Sequence, residues 1–311
     1  MLKFSRLSKY AWFVLAVNIA VILWGAFVRA TGSGAGCGSH WPLCNGVVIP
    51  RAQQIETVIE FTHRATSGIA FILLLILVIW IFKSFPRGHR VRFSSGGAMV
   101  LMITEALVGA GLVLFEWVAN DASLGRAISI VVHLINTFLL LAFLTITAWW
   151  ATGGRNIVLG VRDSSFWMIL IGLLGTIFLG ASGALAALGD TLFPVDNLAE
   201  GLRQDFSSTA HFLIRLRILH PTLAVIVGFY LIVITGIITS RKDDDWVQRF
   251  GKFLIIAVIL QFGAGLLNVF LLAPVWMQLV HLLLADTIWI ACILFLANVF
   301  ADNDLLSVSS Q

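Results

Sequence analysis

Charged residues are scarce in this sequence. Asp, Glu, Lys and Arg make up 12% of its 311 residues, whereas a typical soluble domain carries about 25%. Apolar residues account for 59%. This composition excludes a soluble globular protein, a disordered chain and a nucleic-acid-binding domain, although the net charge is +4. The few charges lie between long uncharged runs, so the basic excess indicates membrane topology rather than a nucleic-acid partner.

Cysteine is also rare, with three residues in the chain. Three are too few for a disulfide scaffold, and their spacing does not match a zinc finger. Cys37 and Cys44 share one predicted loop, whereas Cys292 lies in an apolar run. We interpret Cys292 as a small apolar residue.

Long runs without Asp, Glu, Lys or Arg fill most of the chain. A bilayer core about 30 Å thick is crossed by about 20 apolar residues in a helix. The run 253–285 is too long for one crossing, and Ala273-Pro274 within it is where a helix should break. The sequence therefore predicts an all-α integral membrane protein with eight transmembrane helices. Their predicted bounds are 10–30, 56–83, 94–117, 125–150, 165–187, 208–239, 248–272 and 275–300.

Most of the 20 Lys and Arg residues fall on one side of the predicted helices. Because Lys and Arg favour the cytoplasmic side, we predict a multi-pass protein of the plasma membrane with both termini in the cytoplasm. The basic start followed by an apolar run also fits a signal peptide, but the run is long and the repeat described next includes this helix. The basic residues on this side are Lys3, Arg6, Lys9, Lys83, Arg87, Arg90, Arg92, Arg155, Arg162, Arg241, Lys242, Arg249 and Lys252.

The sequence contains an internal repeat. Gly-Ala-Gly-Leu occurs at 109–112 and again at 263–266, and histidines recur at similar offsets. Helices 1–4 and 5–8 are therefore predicted to form two pseudo-symmetric four-helix bundles, residues 1–152 and 153–311. Each bundle has an even number of spans, so both point the same way and the pseudo-twofold axis runs along the membrane normal.

Four histidines lie at matching positions of this repeat, at similar depth near the predicted outer face. Ionisable residues inside a membrane are candidates for function, and imidazole binds transition metals. A lone histidine would more often bond a neighbouring helix, but two facing histidines in an apolar bundle supply the axial ligands of a heme iron. The histidines are His63, His133, His220 and His281. The glycines of the repeated motif either let a flat macrocycle approach the backbone or allow tight helix packing.

Four arginines fall at predicted outer helix ends, level with the histidines. Heme propionates need cations near the aqueous boundary, so binding of propionates is one interpretation. Contact with lipid phosphates is the other, and the sequence leaves both open. The arginines are Arg29, Arg64, Arg215 and Arg217.

The two halves differ in their acidic residues. Glu60 precedes His63 by three positions and shares its helix face, whereas no acidic residue precedes His220 at that spacing. The asymmetry indicates that one half holds a permanent cofactor and the other places a carboxylate beside its iron or substrate. Alternatively, Glu60 merely stabilises a helix N-terminus. Glu105 and Asp286 are candidates for a proton path or for a hydrogen bond to an imidazole.

The outer loop 31–55 contains Cys37 and Cys44, separated by six residues. This side of the membrane faces an oxidising space under the predicted topology, so we expect a disulfide between them.

Three segments carry a resemblance to the heme A synthase family. They are Arg29-Ala-Thr-Gly-Ser-Gly-Ala-Gly-Cys37, Trp41-Pro-Leu-Cys-Asn-Gly46 and Glu60-Phe-Thr-His-Arg64, followed by single histidines in helices 4, 6 and 8. The resemblance spans nearly the whole chain. Two features depart from the family pattern: Gly38-Ser39-His40 replaces an expected Pro-Asp-like pair, and residues 188–207 lack the second cysteine pair of many relatives.

The resemblance implies the reaction and the roles of its residues. A heme A synthase oxidises the C8 methyl group of heme O to the formyl group of heme A, which serves terminal oxidases. The resemblance implies that His220 and His281 hold a heme b cofactor, that His63 and His133 receive the substrate heme O, and that Glu60 is the catalytic carboxylate. It also implies a heme O synthase and oxidase assembly factors as partners, and it leaves open a homo-oligomer.

Two other functions compete with this interpretation. The first alternative is a membrane cytochrome b that carries electrons through two bis-histidine hemes and has no heme substrate. Glu60 discriminates, because a pure electron carrier does not need it. The second is a transporter of heme or another small molecule. The sequence shows no pair of Gly/Pro-broken helices at matching positions of the two halves, which argues against transport.

Overall fold

The computed structural model describes residues 5–51, 54–158 and 163–301. In these ranges the chain forms ten α-helices and no β-strand. Eight helical segments are long and apolar enough to cross a membrane, which confirms the predicted fold class. Lys3 and Arg162, which the topology prediction uses, lie outside the described residues. The helices are α1 (Arg6–Ala30), α2 (Ile55–Ser84), α3 (Arg90–Leu114), α4 (Leu124–Ala151), α5 (Ser164–Leu192), α6 (Leu198–Asp205), α7 (Phe212–Arg217), α8 (Leu219–Arg241), α9 (Asp245–Phe270) and α10 (Val275–Val299).

Polar side chains set where several helices begin. Ser5, Ser123 and Asp163 each accept a hydrogen bond from a backbone N–H of the first turn of α1, α4 and α5, which satisfies a donor that has no partner within the helix. The predicted break at Ala273-Pro274 is confirmed, because α9 ends at Phe270 and Pro274 caps α10.

The sixth span differs from its prediction. It is divided at Ile218 into α7 and α8. Pro221 has no N–H to donate to the carbonyl of Arg217, four residues back, and its ring crowds that carbonyl, so a continuous helix cannot pass this point. The sequence analysis also missed α6, a short helix that presents exposed Leu198 and Leu202 on one face.

The helices pack largely with their neighbours in sequence. α1, α2, α3 and α4 contact one another in turn, and α4 closes on α1; α5 contacts α7 and α8, α8 contacts α9, and α9 contacts α10. Buried apolar side chains form one large cluster drawn mostly from α1 to α4 and a second drawn from α5, α8, α9 and α10.

Hydrogen bonds and ring stacking join the first four spans to the last four, along a seam formed by α1, α4, α5 and α10. The guanidinium of Arg29 at the end of α1 donates to the hydroxyl of Thr191 on α5 at 2.8 Å and to Oε1 of Gln278 on α10 at 2.9 Å. Deeper in the seam, the rings of Phe138 and Trp289 stack with centroids 5.0 Å apart, and the indole N–H of Trp289 donates to the carbonyl of Phe138 at 2.6 Å.

We call one end of the bundle the histidine end, because the four histidines lie close to it. There α1, α3, α5 and α9 finish and α2, α4, α7 and α10 begin. The loops meet one another at this end: a Cβ added to Gly34 would touch Val118. The histidine end consists of residues 31–51, 115–123, 193–211 and 271–274 together with the adjoining ends of these helices.

An ion pair fastens the opposite end. Arg155 donates from both terminal nitrogens to Asp244 at 2.7 and 2.8 Å, and Asp244 also caps α9 by accepting the N–H groups of Trp246 and Val247 at 3.0 Å. The hydrogen bonds from Arg155 lower the pKa of the Asp244 carboxyl. The carboxylate therefore stabilises the fold in two ways, by charge and by capping.

Substitution of Asp244 should separate these two contributions. Asp244→Asn keeps a good cap but loses the charge, so we expect a loss of about 1 kcal/mol at neutral pH; Asp244→Ala should lose about 1 kcal/mol more. Because the pKa of Asp244 is lower in the folded chain than its unfolded value of about 3.9, the stabilisation is complete above that pH and disappears as the pH falls through the folded pKa. Thermal unfolding in detergent across acidic pH tests this. A gap between wild type and D244N that persists at the lowest pH would contradict it.

Candidate functional site

Each of the four histidines faces a glycine of the preceding transmembrane helix. A Cβ added to Gly25 would stand 2.9 Å from Cε1 of His63, and one added to Gly183 would stand 2.8 Å from Cε1 of His220. At Gly25, Gly183 and Gly265 the absent side chain therefore makes the room that the imidazole occupies, whereas a Cβ on Gly109 would be in ordinary contact with His133 at 3.9 Å. The pairs are Gly25–His63, Gly109–His133, Gly183–His220 and Gly265–His281.

The glycines of the repeated motif do not play equivalent parts. Gly109 and Gly265 face imidazoles, whereas a Cβ on Gly263 would meet nothing within 4 Å and one on Gly111 would touch only Phe115. The Gly-Ala-Gly-Leu alignment pairs Gly109 with Gly263, but the structure gives Gly109 and Gly265 the same role. The sequence repeat therefore locates the right helices and misaligns them by two residues.

The histidine pair of the last four spans has the spacing of two ligands of one iron. The ring centroids of His220 and His281 lie 6.1 Å apart, with ring planes at 86°. Two imidazoles bound to one metal at about 2.0 Å per bond place their centroids about 6 Å apart. The hydroxyl of Ser182 lies 3.1 Å from Nδ1 of His220, and Nε2 of Gln261 lies 3.3 Å from Nε2 of His281. The donor set and its spacing fit a bis-histidine heme.

The pair of the first four spans has an acidic neighbour. Oε1 of Glu105 on α3 lies 3.1 Å from Nδ1 of His133 on α4, so Glu105 is the acidic residue that contacts an imidazole. Asp286 is fully buried, and neither of its carboxyl oxygens has a hydrogen-bond partner among the described residues. No hydrogen-bond partner is found among the described residues for the buried Nδ1 atoms of His63, His133 and His281.

Glu60 ties the cysteine loop to α2. Its side chain is buried, with 3% of its surface exposed, and Oε2 accepts the backbone N–H of Cys37 at 2.7 Å. Oε1 accepts from the guanidinium of Arg64, which also donates to the carbonyls of His40 and Leu43. The carboxylate one turn before His63 is thus held between the loop and an arginine, and His40 contributes its backbone carbonyl to this arrangement.

The expected disulfide between Cys37 and Cys44 is confirmed. The loop that it closes sits against α2, where the hydroxyl of Thr57 donates to the carbonyl of Gly36 at 2.7 Å. A Cβ at Gly36 would overlap the backbone of Glu56, so only glycine permits this approach. Cys292 is buried and unpaired.

The four predicted propionate-binding arginines lie at the histidine end, and their described contacts are with protein groups. Arg217 pairs with Asp190 at 3.2 Å and with Asp205 at 2.8 Å. Arg215 donates to the carbonyls of Ser208 and Ala210 at 2.8 and 3.1 Å. The other two arginines fasten the seam and the cysteine loop. Their predicted role toward propionates remains a proposal.

The described residues contain no group of three or more His, Cys, Asp or Glu that could hold a metal ion.

Sequence reasoning missed Gly25, Gly183, Ser182 and Gln261 as neighbours of the histidines. Gln261 and Ser182 carry a detectable signal, because polar residues inside transmembrane helices hydrogen-bond partners across helices. The glycine contacts carry no such signal, since they depend on how adjacent helices are rotated about their axes.

Comparison with known proteins decides the family. A family model described as cytochrome oxidase assembly protein, COX15-CtaA, matches residues 8–293. The chain belongs to the COX15-CtaA family. It is similar to a "Protoheme IX farnesyltransferase" of Thermus thermophilus, 52% identical over 294 residues that cover 94% of this chain and 48% of the relative. The chain thus spans about half the length of this relative.

Heme A synthases are also among its relatives. The enzyme of Alkalihalophilus pseudofirmus is 42% identical over 111 residues, 36% of this chain and 37% of the relative. That of an Exiguobacterium species is 37% identical over 120 residues, 39% of each. The eight long apolar helices indicate that this member of the family is a multi-pass membrane protein.

Proposed function

We propose that the protein is a heme A synthase, which oxidises the C8 methyl group of heme O to the formyl group of heme A for the assembly of a terminal oxidase. One observation carries the proposal: the two histidine pairs have different neighbours. Glu105 contacts His133 of the first pair and Glu60 lies one turn before His63, whereas the described contacts of His220 and His281 are with the neutral Ser182 and Gln261.

The proposal assigns different tasks to the two halves. Residues 153–311 form the unit in which His220 and His281 hold heme b, a cofactor that supplies one-electron transfer when bound. Residues 1–152 form the unit in which His63 and His133 receive heme O. The 6.1 Å spacing of His220 and His281 and the carboxylates near His63 and His133 support this division.

Glu60 is the proposed catalytic carboxylate. It sits one turn before His63, and its contacts with Cys37 and Arg64 fix its position. From there it either accepts a proton from the substrate or stabilises positive charge that develops on it. The arginines at the histidine end, Arg29, Arg64, Arg215 and Arg217, are proposed to meet the propionates.

The proposed topology places the histidine end outside the cell. The basic loops lie at the opposite end, and the positive-inside rule assigns that end and both termini to the cytoplasm of a plasma membrane protein. A heme O synthase is a proposed partner, because one relative named for protoheme farnesylation is about twice as long as the region that it shares with this chain. Oxidase assembly factors are further proposed partners.

Mass spectrometry of extracted hemes tests the reaction. The protein is expressed with a heme O synthase in a host that makes no heme A. We expect heme A to appear only when the protein is present, and to be absent from the His63→Ala variant. Accumulation of heme O without heme A, with the protein present in the membrane, would contradict the proposal.

A di-heme cytochrome b is the second candidate. The matching glycine–histidine pairs in both halves favour it, because two bis-histidine hemes would need the same clearance at each ring. Such a protein would hold two permanent hemes and leave heme O unchanged, so the heme content of the purified protein separates the two functions.

Gly183→Ala tests the contact between α5 and His220. The added Cβ would stand 2.8 Å from Cε1 of His220, so the imidazole must move from its position as a ligand. We expect purified G183A to retain about tenfold less heme b than wild type, measured as heme absorbance per protein. Gly236→Ala is the matched control, because a Cβ there meets nothing within 4 Å. Equal heme contents in both variants and wild type would argue against ligation by His220.

A further inference from the structure

Glu105 occupies an unusual place for an acidic residue, in the interior of the apolar helix α3. Its nearest basic group is the imidazole of His133 on α4, where Oε1 and Nδ1 are 3.1 Å apart. The distance is that of an ion pair within hydrogen-bond range, while Nδ1 forms no hydrogen bond with the described residues, so a turn of the ring is needed to align its N–H with Oε1. A histidine that binds a metal through one ring nitrogen commonly donates the other N–H to a carboxylate, which fixes the orientation of the ring.

A polar network holds the Glu105 carboxylate in position. The amide of Asn136 donates to Oε2 and the hydroxyl of Thr137 donates to Oε1. Asn136 is itself held, because its amide also donates to the carbonyl of Leu101 at 2.9 Å and its Oδ1 accepts from Thr104 at 2.6 Å. Both carboxyl oxygens are therefore fixed, with Oε1 held 3.1 Å from Nδ1 of His133.

The other half lacks this arrangement. His220 has the hydroxyl of Ser182 as its neighbour, and His281 has the amide of Gln261. Neutral partners orient a ring but add no negative charge to it. A carboxylate does both, because it increases the electron density that the imidazole donates to its metal.

We propose that Glu105 is a positioning residue that orients His133 toward the iron of the substrate heme and makes this imidazole a stronger donor than the ligands of the other half. The inference rests on the proposed function, since it needs heme O at the first pair. Without this role, Glu105 would take no part in the proposed reaction. Through His133, Glu105 would favour the ferric state of the substrate iron and so lower its midpoint potential.

The test uses the purified full chain in detergent, with heme O added as the probe. We expect Glu105→Ala to weaken heme O binding 10- to 100-fold, measured by absorbance titration. Glu105→Gln keeps a hydrogen-bond acceptor without the charge, so binding should recover in part while the midpoint potential of the added heme stays above that of wild type. The iron–histidine stretching frequency in resonance Raman spectra should fall in both variants. The bands of the resident heme b should not move.

Two comparisons separate positioning from general damage to the fold. Gln261→Ala, the matched change beside His281, should alter the resident heme and leave the affinity for heme O unchanged. In a His133→Ala background, Glu105→Ala should cause no further loss of affinity, because Glu105 acts through that imidazole. An equal loss with and without His133 would overturn the proposal.

The outcomes also distinguish this inference from the proposed function. Wild-type affinity, potential and Raman frequency in E105A, with heme A still formed by the wild type, would overturn the role of Glu105 alone. Failure of the wild type to bind heme O would overturn the proposed function and this inference together.

Discussion

Replacing His220 or His281 with alanine should strip the purified protein of its resident heme. Each imidazole is proposed to supply one of the two axial bonds to the iron. The ring centroids lie 6.1 Å apart, so the remaining imidazole cannot also occupy the position of the one that is removed. We expect heme b content, measured by pigment per protein and by extraction, to fall at least tenfold in either variant.

The matched controls are His63→Ala and His133→Ala, which alter the corresponding positions of the other half. These variants should keep most of the pigment and lose the formation of heme A. The reverse pattern, with pigment lost from the first pair and kept in the second, would exchange the roles that we assign to the two halves. Loss of pigment in all four variants would favour the di-heme cytochrome.

Glu60→Gln should reduce heme A formation about 100-fold or more, the range expected for loss of a general acid or base. Glutamine keeps the size of the side chain and can still accept the N–H of Cys37, but it carries no charge and cannot pair with Arg64. We expect the resident heme b and the disulfide to be retained. Heme A is measured by mass spectrometry against the amount of protein in the membrane.

Two controls show whether the loss arises from the carboxylate or from a loosened loop. Glu56→Gln removes an exposed carboxylate one turn earlier on α2 and should be silent. Thr57→Val removes the hydrogen bond to the carbonyl of Gly36 and so loosens the same loop without touching Glu60. If T57V loses as much activity as E60Q, Glu60 acts by anchoring the loop; if E60Q converts heme O at the wild-type rate, its catalytic role is wrong.

Much of the fold follows from the sequence alone. Apolar runs of about 20 residues bounded by charge or proline predict helices across a bilayer because no other open structure satisfies the backbone there. The eight spans and the break before Pro274 follow from this rule. α6 was not predicted because eight residues are too few to span a membrane. The division at Ile218 could have been expected, because Pro221 lies in the interior of the predicted span 208–239, where proline kinks or breaks a helix.

The four histidines could be singled out from the sequence, whereas most of their neighbours in the structure could not. Imidazoles in apolar helices can be recognised in the sequence because an ionisable group inside a membrane costs free energy. The two cysteines can be recognised because they share one loop. The neighbours of each histidine depend on the rotation and crossing of helices, which sequence spacing does not encode. Thus the sequence left Glu105 and Asp286 as equal candidates for contact with an imidazole, and the packing of α3 against α4 selects Glu105.

The seam also bears on the transporter interpretation. Parting the two sets of spans would break the hydrogen bonds of Arg29 at the histidine end. It would also leave the indole N–H of Trp289 without its acceptor inside the bilayer, where an unsatisfied polar group costs several kcal/mol. A carrier that rocks one half against the other must open and remake its seam in every cycle. This seam resists that motion. The protein is therefore better suited to bind substrate and release product while its helices keep their positions.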